Sequence, residues 1–193
     1  MKILVCVSGA SFCEIGLDLL KFLASSPHEI HAVLTQGARR VLRAESGIDA
    51  DEALKSAEFR SVKFYPNTDL GAPPASGSFG IDAVIFAPCS IGSLAKIYGG
   101  LCDSLSTRAA AVALKEHKRL VLGVREMPLS ARRTRCAPCV ITAWISYGEL
   151  ARNLSRSSPI SQKLAPLTQT KIFISRLSYR NFVLQKRAKR KEF

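Results

Sequence analysis

The stretch that most constrains this chain lies at its start, where Ile3-Leu4-Val5-Cys6-Val7 runs into Ser8-Gly9-Ala10-Ser11 and then into an apolar-periodic segment. Five consecutive apolar residues leave no polar face for water. The strand they form must be covered on both sides, as in a parallel sheet flanked by helices. Gly9 permits a tight turn, and Ser8 or Ser11 can cap the helix that follows. That helix is expected to place Phe12, Ile15, Leu19, Phe22 and Leu23 on one face, with Lys21 in its last turn. A strand, a small-residue turn and a helix N-terminus make an anion site, because unpaired N–H groups and the positive dipole end point into the turn. Ser-Gly-Ala-Ser is not a G-x-G-x-x-G fingerprint, so an ordinary strand-to-helix turn is the alternative.

The pattern then repeats. Ile30–Leu34 reads as a second strand, followed by Thr35-Gln36-Gly37 and a helix over 38–44 that Gly47 can terminate. A weak helix is expected over 51–57, an edge strand at Val62–Tyr65, and a long Pro-, Gly- and Ser-rich loop over 66–80. Ala83–Ala87 is another buried strand, ended by Pro88-Cys89-Ser90 and followed by a helix from Ile91 to Tyr98. An Ala-rich helix over 104–115 carries Arg108 and Lys115, and Leu120–Val124 is a strand whose carboxyl end presents Arg125-Glu126. Strands alternating with helices predict an α/β fold, a doubly wound parallel sheet in three α/β/α layers. Ligands in such sheets bind beyond the carboxyl ends of the strands. Ser8–Ser11, Thr35, Ser90–Ser93 and Arg125-Glu126 all fall at such ends.

The formal net charge of +13 is unevenly spread. Residues 1–130 carry 14 Lys and Arg against 13 Asp and Glu, whereas 131–193 carry 14 against two, Glu149 and Glu192. Two regions are therefore expected, a nearly neutral domain over 1–130 and a basic extension over 131–193. Arguments from charge concern the extension alone. The apolar runs are strand-sized and no signal-peptide segment is evident, so neither a membrane span nor secretion is expected. The six cysteines then read as reduced thiols of a cytoplasmic protein, with Cys6 a small buried hydrophobe.

Six blocks in order and spacing resemble the flavin prenyltransferase (UbiX) family over residues 1–130. They are Ser8-Gly9-Ala10-Ser11, Ser76-Gly77-Ser78-Phe79, Pro88-Cys89-Ser90, Thr107-Arg108-Ala109-Ala110, Leu114-Lys115-Glu116 and Arg125-Glu126-Met127-Pro128-Leu129. The resemblance implies a Rossmann-like, flavodoxin-like fold in an FMN-binding homo-oligomer, commonly a dodecamer with the flavin at subunit interfaces. It also implies transfer of a dimethylallyl group from dimethylallyl phosphate to reduced FMN, making prenylated FMN for UbiD-type decarboxylases, as in ubiquinone biosynthesis. Carried over by motif, Gly9, Ala10, Ser11, Thr35, Ser90, Ile91, Gly92, Ser93 and Arg125 would hold FMN. Arg108 and Lys115 would bind the donor phosphate, and Glu45 and Glu126 would handle protons; no metal is implied. Read without the family, Arg108 and Lys115 could be a solvated helix face, Arg125-Glu126 a surface ion pair and Glu45 a helix-terminal carboxylate. Related FMN-dependent cysteine decarboxylases, or a catalytically impaired FMN-binding protein, are the alternative functions.

The departures are specific. Phe12 stands where the family has a second Gly after Gly-Ala-Ser, Ala111 replaces a common Asp, and the match stops near Ser130. The family's Pro-rich Ala-Phe-Tyr segment and the basic residue that follows it are missing. Three readings of residues 131–193 stand beside one another. Lys186-Arg187-Ala188-Lys189-Arg190-Lys191 could be a nucleic-acid or acidic-partner arm. Cys136-Ala137-Pro138-Cys139 could be a redox or metal site, although it precedes a strand-like run and lacks a second ligand pair. The reading the sequence favours is a shifted reading frame, which would leave a partly disordered tail and make nucleic acid an unneeded partner. Translating the other two frames beyond codon 130 tests it, and finding no Pro-Ala-Phe-Tyr-like segment would reject it.

Overall fold

A computed structural model describes residues 1–125 and the backbone of Ala143–Trp144. Glu126, the Cys136–Cys139 pair and the other expectations for the basic extension lie outside the described residues. Parallel strands β1 (Lys2–Val7), β2 (Glu29–Leu34), β3 (Val62–Pro66), β4 (Ala83–Cys89), β5 (Arg119–Val124) and β6 (Ala143–Trp144) form one sheet in the order β3-β2-β1-β4-β5-β6. Helices α1 (Glu14–Ala24), α2 (Gln36–Ser46), α3 (Ala50–Ala53), α4 (Ile91–Tyr98) and α5 (Leu105–Lys115) connect them. Chain direction across the sheet reverses between β1 and β4, the switch point at which doubly wound folds open a crevice.

The all-apolar first strand does what its composition demands. Ile3, Val5 and Val7 pack on one side with Leu17, Leu20 and Leu23 of α1 and Ala38 and Leu42 of α2. Leu4 and Cys6 pack on the other with Leu94 and Ile97 of α4 and Leu105, Ala109, Ala110 and Ala113 of α5. Two cores, one on each face of the sheet, make the three layers. β3 is an edge strand, as its alternation predicts, with Val62 buried and Lys63 exposed.

Local signals account for most boundaries. Thr35 caps α2, its Oγ1 accepting from Ala38 N–H at 3.1 Å. Gly47 ends that helix at φ 66°, with Ile48 N–H returning to Leu42 O at 3.2 Å. Thr107 reaches back from α5 to accept from Ser104 N–H at 3.2 Å, one arm of a capping box. Three expectations need correction. The helix over 51–57 is a single turn, Ala50–Ala53, followed by a 3-10 turn at Ala57–Phe59, because Asp49 caps from outside and no apolar stripe carries the helix onward. The 66–80 loop is tightened by 3-10 turns at Pro73–Ala75 and Gly77–Phe79 and buries Ala72, Pro74 and Ala75. Finally, neither Ser8 nor Ser11 caps α1, and Phe12 is no part of its buried face: the N-cap is Cys13, and Phe12 is exposed.

Candidate functional site at the carboxyl rim of the sheet

The carboxyl ends of β2, β1, β4 and β5 are tied side by side. Thr35 N–H donates to Val7 O at 3.0 Å, Ser8 N–H to Pro88 O at 3.2 Å, and Arg125 N–H to Cys89 O at 3.4 Å. The Ser8 hydroxyl is buried between β1 and β4, donating to Pro88 O at 2.9 Å and accepting from Ser90 N–H at 2.7 Å. A serine read from sequence as a helix cap is thus a rivet across the switch point. Ser90 in turn caps α4, its Oγ accepting from Ser93 N–H at 3.2 Å and donating to Ser93 Oγ at 3.0 Å. The first-turn N–H groups of Ile91 and Gly92 have no acceptor within α4.

Gly9 and Gly37 bring two of these turns into backbone contact. A Cβ on Gly9 would lie 2.7 Å from Gly37 C and 2.8 Å from its Cα, closer than real Cβ atoms come. Sequence reasoning assigned Gly9 a turn role and missed its partner; the signal was a second glycine three residues after the end of β2. The same rim holds Glu45, in the last turn of α2, which accepts from Phe12 N–H at 2.9 Å. That N–H, the Ser11 hydroxyl and the nearby Arg125 hold the Glu45 carboxyl below the usual carboxylate range. Phe12 has a φ of 64°, and the Arg125 guanidinium lies 5.7 Å from the centre of its ring.

Gly9, Ala10, Ser11, Thr35, Ser90–Ser93 and Arg125 lie at neighbouring strand ends on one rim, and Glu45, which the sequence did not place at a strand end, reaches the same rim through Phe12 N–H. Arg108 and Lys115 do not join them. They line a cavity of about 340 Å³ between α5 and the Ala75–Gly77 segment, with Ala111 in its wall. Arg108 Nε donates to Ala75 O at 3.2 Å, and Lys115 Nζ lies 3.2 Å from Glu116 Oε1. Both cations are exposed, and no residue of the rim turns lines this cavity.

The residues fit a phosphate-bearing flat ring system. The close Gly9–Gly37 contact keeps these turns a cradle of small residues packed backbone on backbone, and the α4 N-terminus offers N–H donors to a phosphate. The interior thiols are poor nucleophiles: burial pushes Cys89 up to about 12 and raises Cys6 further, with Cys89 adding to the latter effect. Among the described residues no cluster of His, Cys, Asp and Glu could hold a metal ion, and no helix is long and apolar enough to cross a membrane.

Comparison with known proteins agrees with this geometry. The Flavoprotein family matches residues 1–136. The flavin prenyltransferase UbiX of Campylobacter jejuni is 48% identical over 130 residues, covering 67% of this chain and 68% of that protein. The crystal structure of AnUbiX (PadA1) in complex with FMN and dimethylallyl pyrophosphate superposes with a TM-score of 0.72 at 27% identity, covering 86% of this chain and 92% of the other. A dodecameric FMN-dependent UbiX-like decarboxylase from Escherichia coli O157:H7 gives a TM-score of 0.71 at 30% identity, covering 84% and 94%.

Proposed function

The chain belongs to the Flavoprotein family, and from that premise we propose that it is a flavin prenyltransferase, transferring a dimethylallyl group from dimethylallyl phosphate to reduced FMN. The observation that carries the reading is the gathering of four strand ends, with the Gly9–Gly37 cradle and Glu45, at the β1/β4 switch point. When bound, reduced FMN supplies the nucleophilic ring atoms that the prenyl group joins.

The chain's own residues divide the remaining work. Gly9, Ala10 and Ser11 with Thr35 hold the flavin from one side of the switch point, and Ser90, Ile91, Gly92, Ser93 and Arg125 hold it from the other. Cleaving the allylic C–O bond places negative charge on the departing phosphate, which Arg108 and Lys115 stabilise. Glu45, ionised and already accepting from Phe12 N–H, takes a proton released at the flavin as the new ring closes. Glu126 is the second proton carrier by family resemblance. The α5 cavity shares no lining residue with the flavin turns, and an assembly that sets one subunit's α5 against another's rim would bring both to one reaction. Homo-oligomeric assembly is part of this reading, and the dodecameric relative supports it. The product, prenylated FMN, would pass to a UbiD-type decarboxylase in the cytoplasm. The raised thiols of Cys6 and Cys89 weigh against cysteine-decarboxylase chemistry, which needs a reactive cysteine.

Anaerobic incubation of the purified chain with reduced FMN and dimethylallyl phosphate tests the proposal. Mass spectrometry should find the flavin heavier by one five-carbon unit. FMN retained without any mass change would reduce the chain to a flavin-binding protein, and no FMN binding would reject the reading altogether.

A further inference from the structure

Phe12 is an anomaly in both backbone and side chain. Its φ of 64° lies in the left-handed region, where a Cβ crowds the following carbonyl and which few residues other than Gly, Asn and Asp visit. Its ring is 52% exposed, although a large apolar side chain next to a helix start has a ready core to enter. Backbone strain of this kind persists where surrounding groups over-determine it, and the groups here are those of the site. Phe12 N–H is held by Glu45, the preceding residue is Ser11 of the cradle, and Arg125 lies over the ring. The ring is thus raised at the point where the cradle, the carboxylate and the guanidinium meet.

We propose that Phe12 is a flavin-contacting residue, its ring forming one wall of the rim site and packing against the isoalloxazine of bound FMN. The proposal rests on the flavin reading above and adds a residue that neither the family resemblance nor the comparisons assign to the site; the resemblance places glycine there. A glycine would satisfy the backbone and leave that wall open. An aromatic at the same point supplies an apolar face to a flat conjugated ring, and the Arg125 guanidinium, 5.7 Å from the ring centre, ties that face to the residues assigned to the flavin. With this left-handed φ the side chain stays out of the core and exposed.

Three variants of the full chain separate the ring from the strain, read by FMN titration and by thermal melting without and with FMN. Phe12→Gly relieves the strain and should melt higher than the native chain without FMN, yet bind FMN roughly 3- to 10-fold more weakly, the range an aromatic stacking contact commands. Phe12→Leu keeps the strained backbone and loses the aromatic face, so it should also weaken FMN without the gain in melting temperature. Phe12→Trp should restore binding, and its emission should be quenched by FMN beyond the quenching seen in the native chain, whose single tryptophan is Trp144. Native-like or tighter FMN binding by Phe12→Gly, or no added quenching in Phe12→Trp, would overturn the assignment while leaving the flavin reading intact. Failure of the native chain to bind FMN would overturn both.

Discussion

Removal of a single oxygen, Ser8→Ala, tests whether the rim is held together as described. The Ser8 side chain is 1% exposed, and its hydroxyl joins Pro88 O and Ser90 N–H at 2.9 and 2.7 Å. The two losses are unequal. Pro88 O keeps the Ser8 N–H at 3.2 Å, whereas Ser90 N–H loses its acceptor at a position walled by β1 and β4. The deficit is therefore one orphaned donor plus one weakened acceptor, about 2 kcal/mol within the roughly 1–3 kcal/mol range for an unsatisfied buried group. In urea, with a slope near 2 kcal/mol/M, this moves the midpoint down by about 1 M. For a chain of this length it lowers Tm by roughly 4–8 °C. Since Ser90 caps α4, the same change should also weaken FMN binding several-fold. A midpoint shift below about 0.2 M at unchanged slope, with native FMN affinity, would refute the argument that Ser8 rivets the switch point.

Three further outcomes are expected. Gly9→Ala drives a methyl to 2.7 Å from the Gly37 backbone, so the turns must part; it should cost about 1–3 kcal/mol in urea melts and abolish FMN retention on purification. Arg108→Ala should raise the KM for dimethylallyl phosphate at least tenfold while leaving FMN affinity, read by flavin fluorescence, unchanged, because the Arg108 cavity shares no residue with the flavin turns. The folded-state pKa of Glu45 lies below its unfolded value, so its contribution to stability is complete above the unfolded pKa and is lost as pH falls through the folded one. Paired melts of the native chain and Glu45→Gln should therefore differ most at neutral pH and converge in the acid range, below about pH 4.

The architecture was legible because its signals are local. An apolar strand, a small-residue turn and a 3.6-spaced helix each declare themselves within about a dozen residues, and their alternation dictates a parallel sheet. The site was legible as a set of strand ends, since the fold class alone places those ends together. What escaped was contact between residues far apart in sequence. Ser8 looks like a cap until Ser90 arrives 82 residues later to donate to it. Phe12 fits a helical stripe by spacing, but the pull of Glu45 on its N–H from 33 residues away belongs to another backbone conformation. Arg108 and Lys115 matched the motif without revealing that their cavity is walled by the Ala75–Gly77 segment and by no residue of the rim turns.

The alternation along β1 divides the interior of the domain. With Ile3, Val5 and Val7 committed to one helical layer and Leu4 and Cys6 to the other, the sheet works as a bulkhead between two separately packed compartments. Drift in either compartment can be repaired by its own neighbours, without renegotiation through the strand. A change of volume on one flank is therefore met by that flank's own neighbours, and the two flanks can be repacked independently of one another.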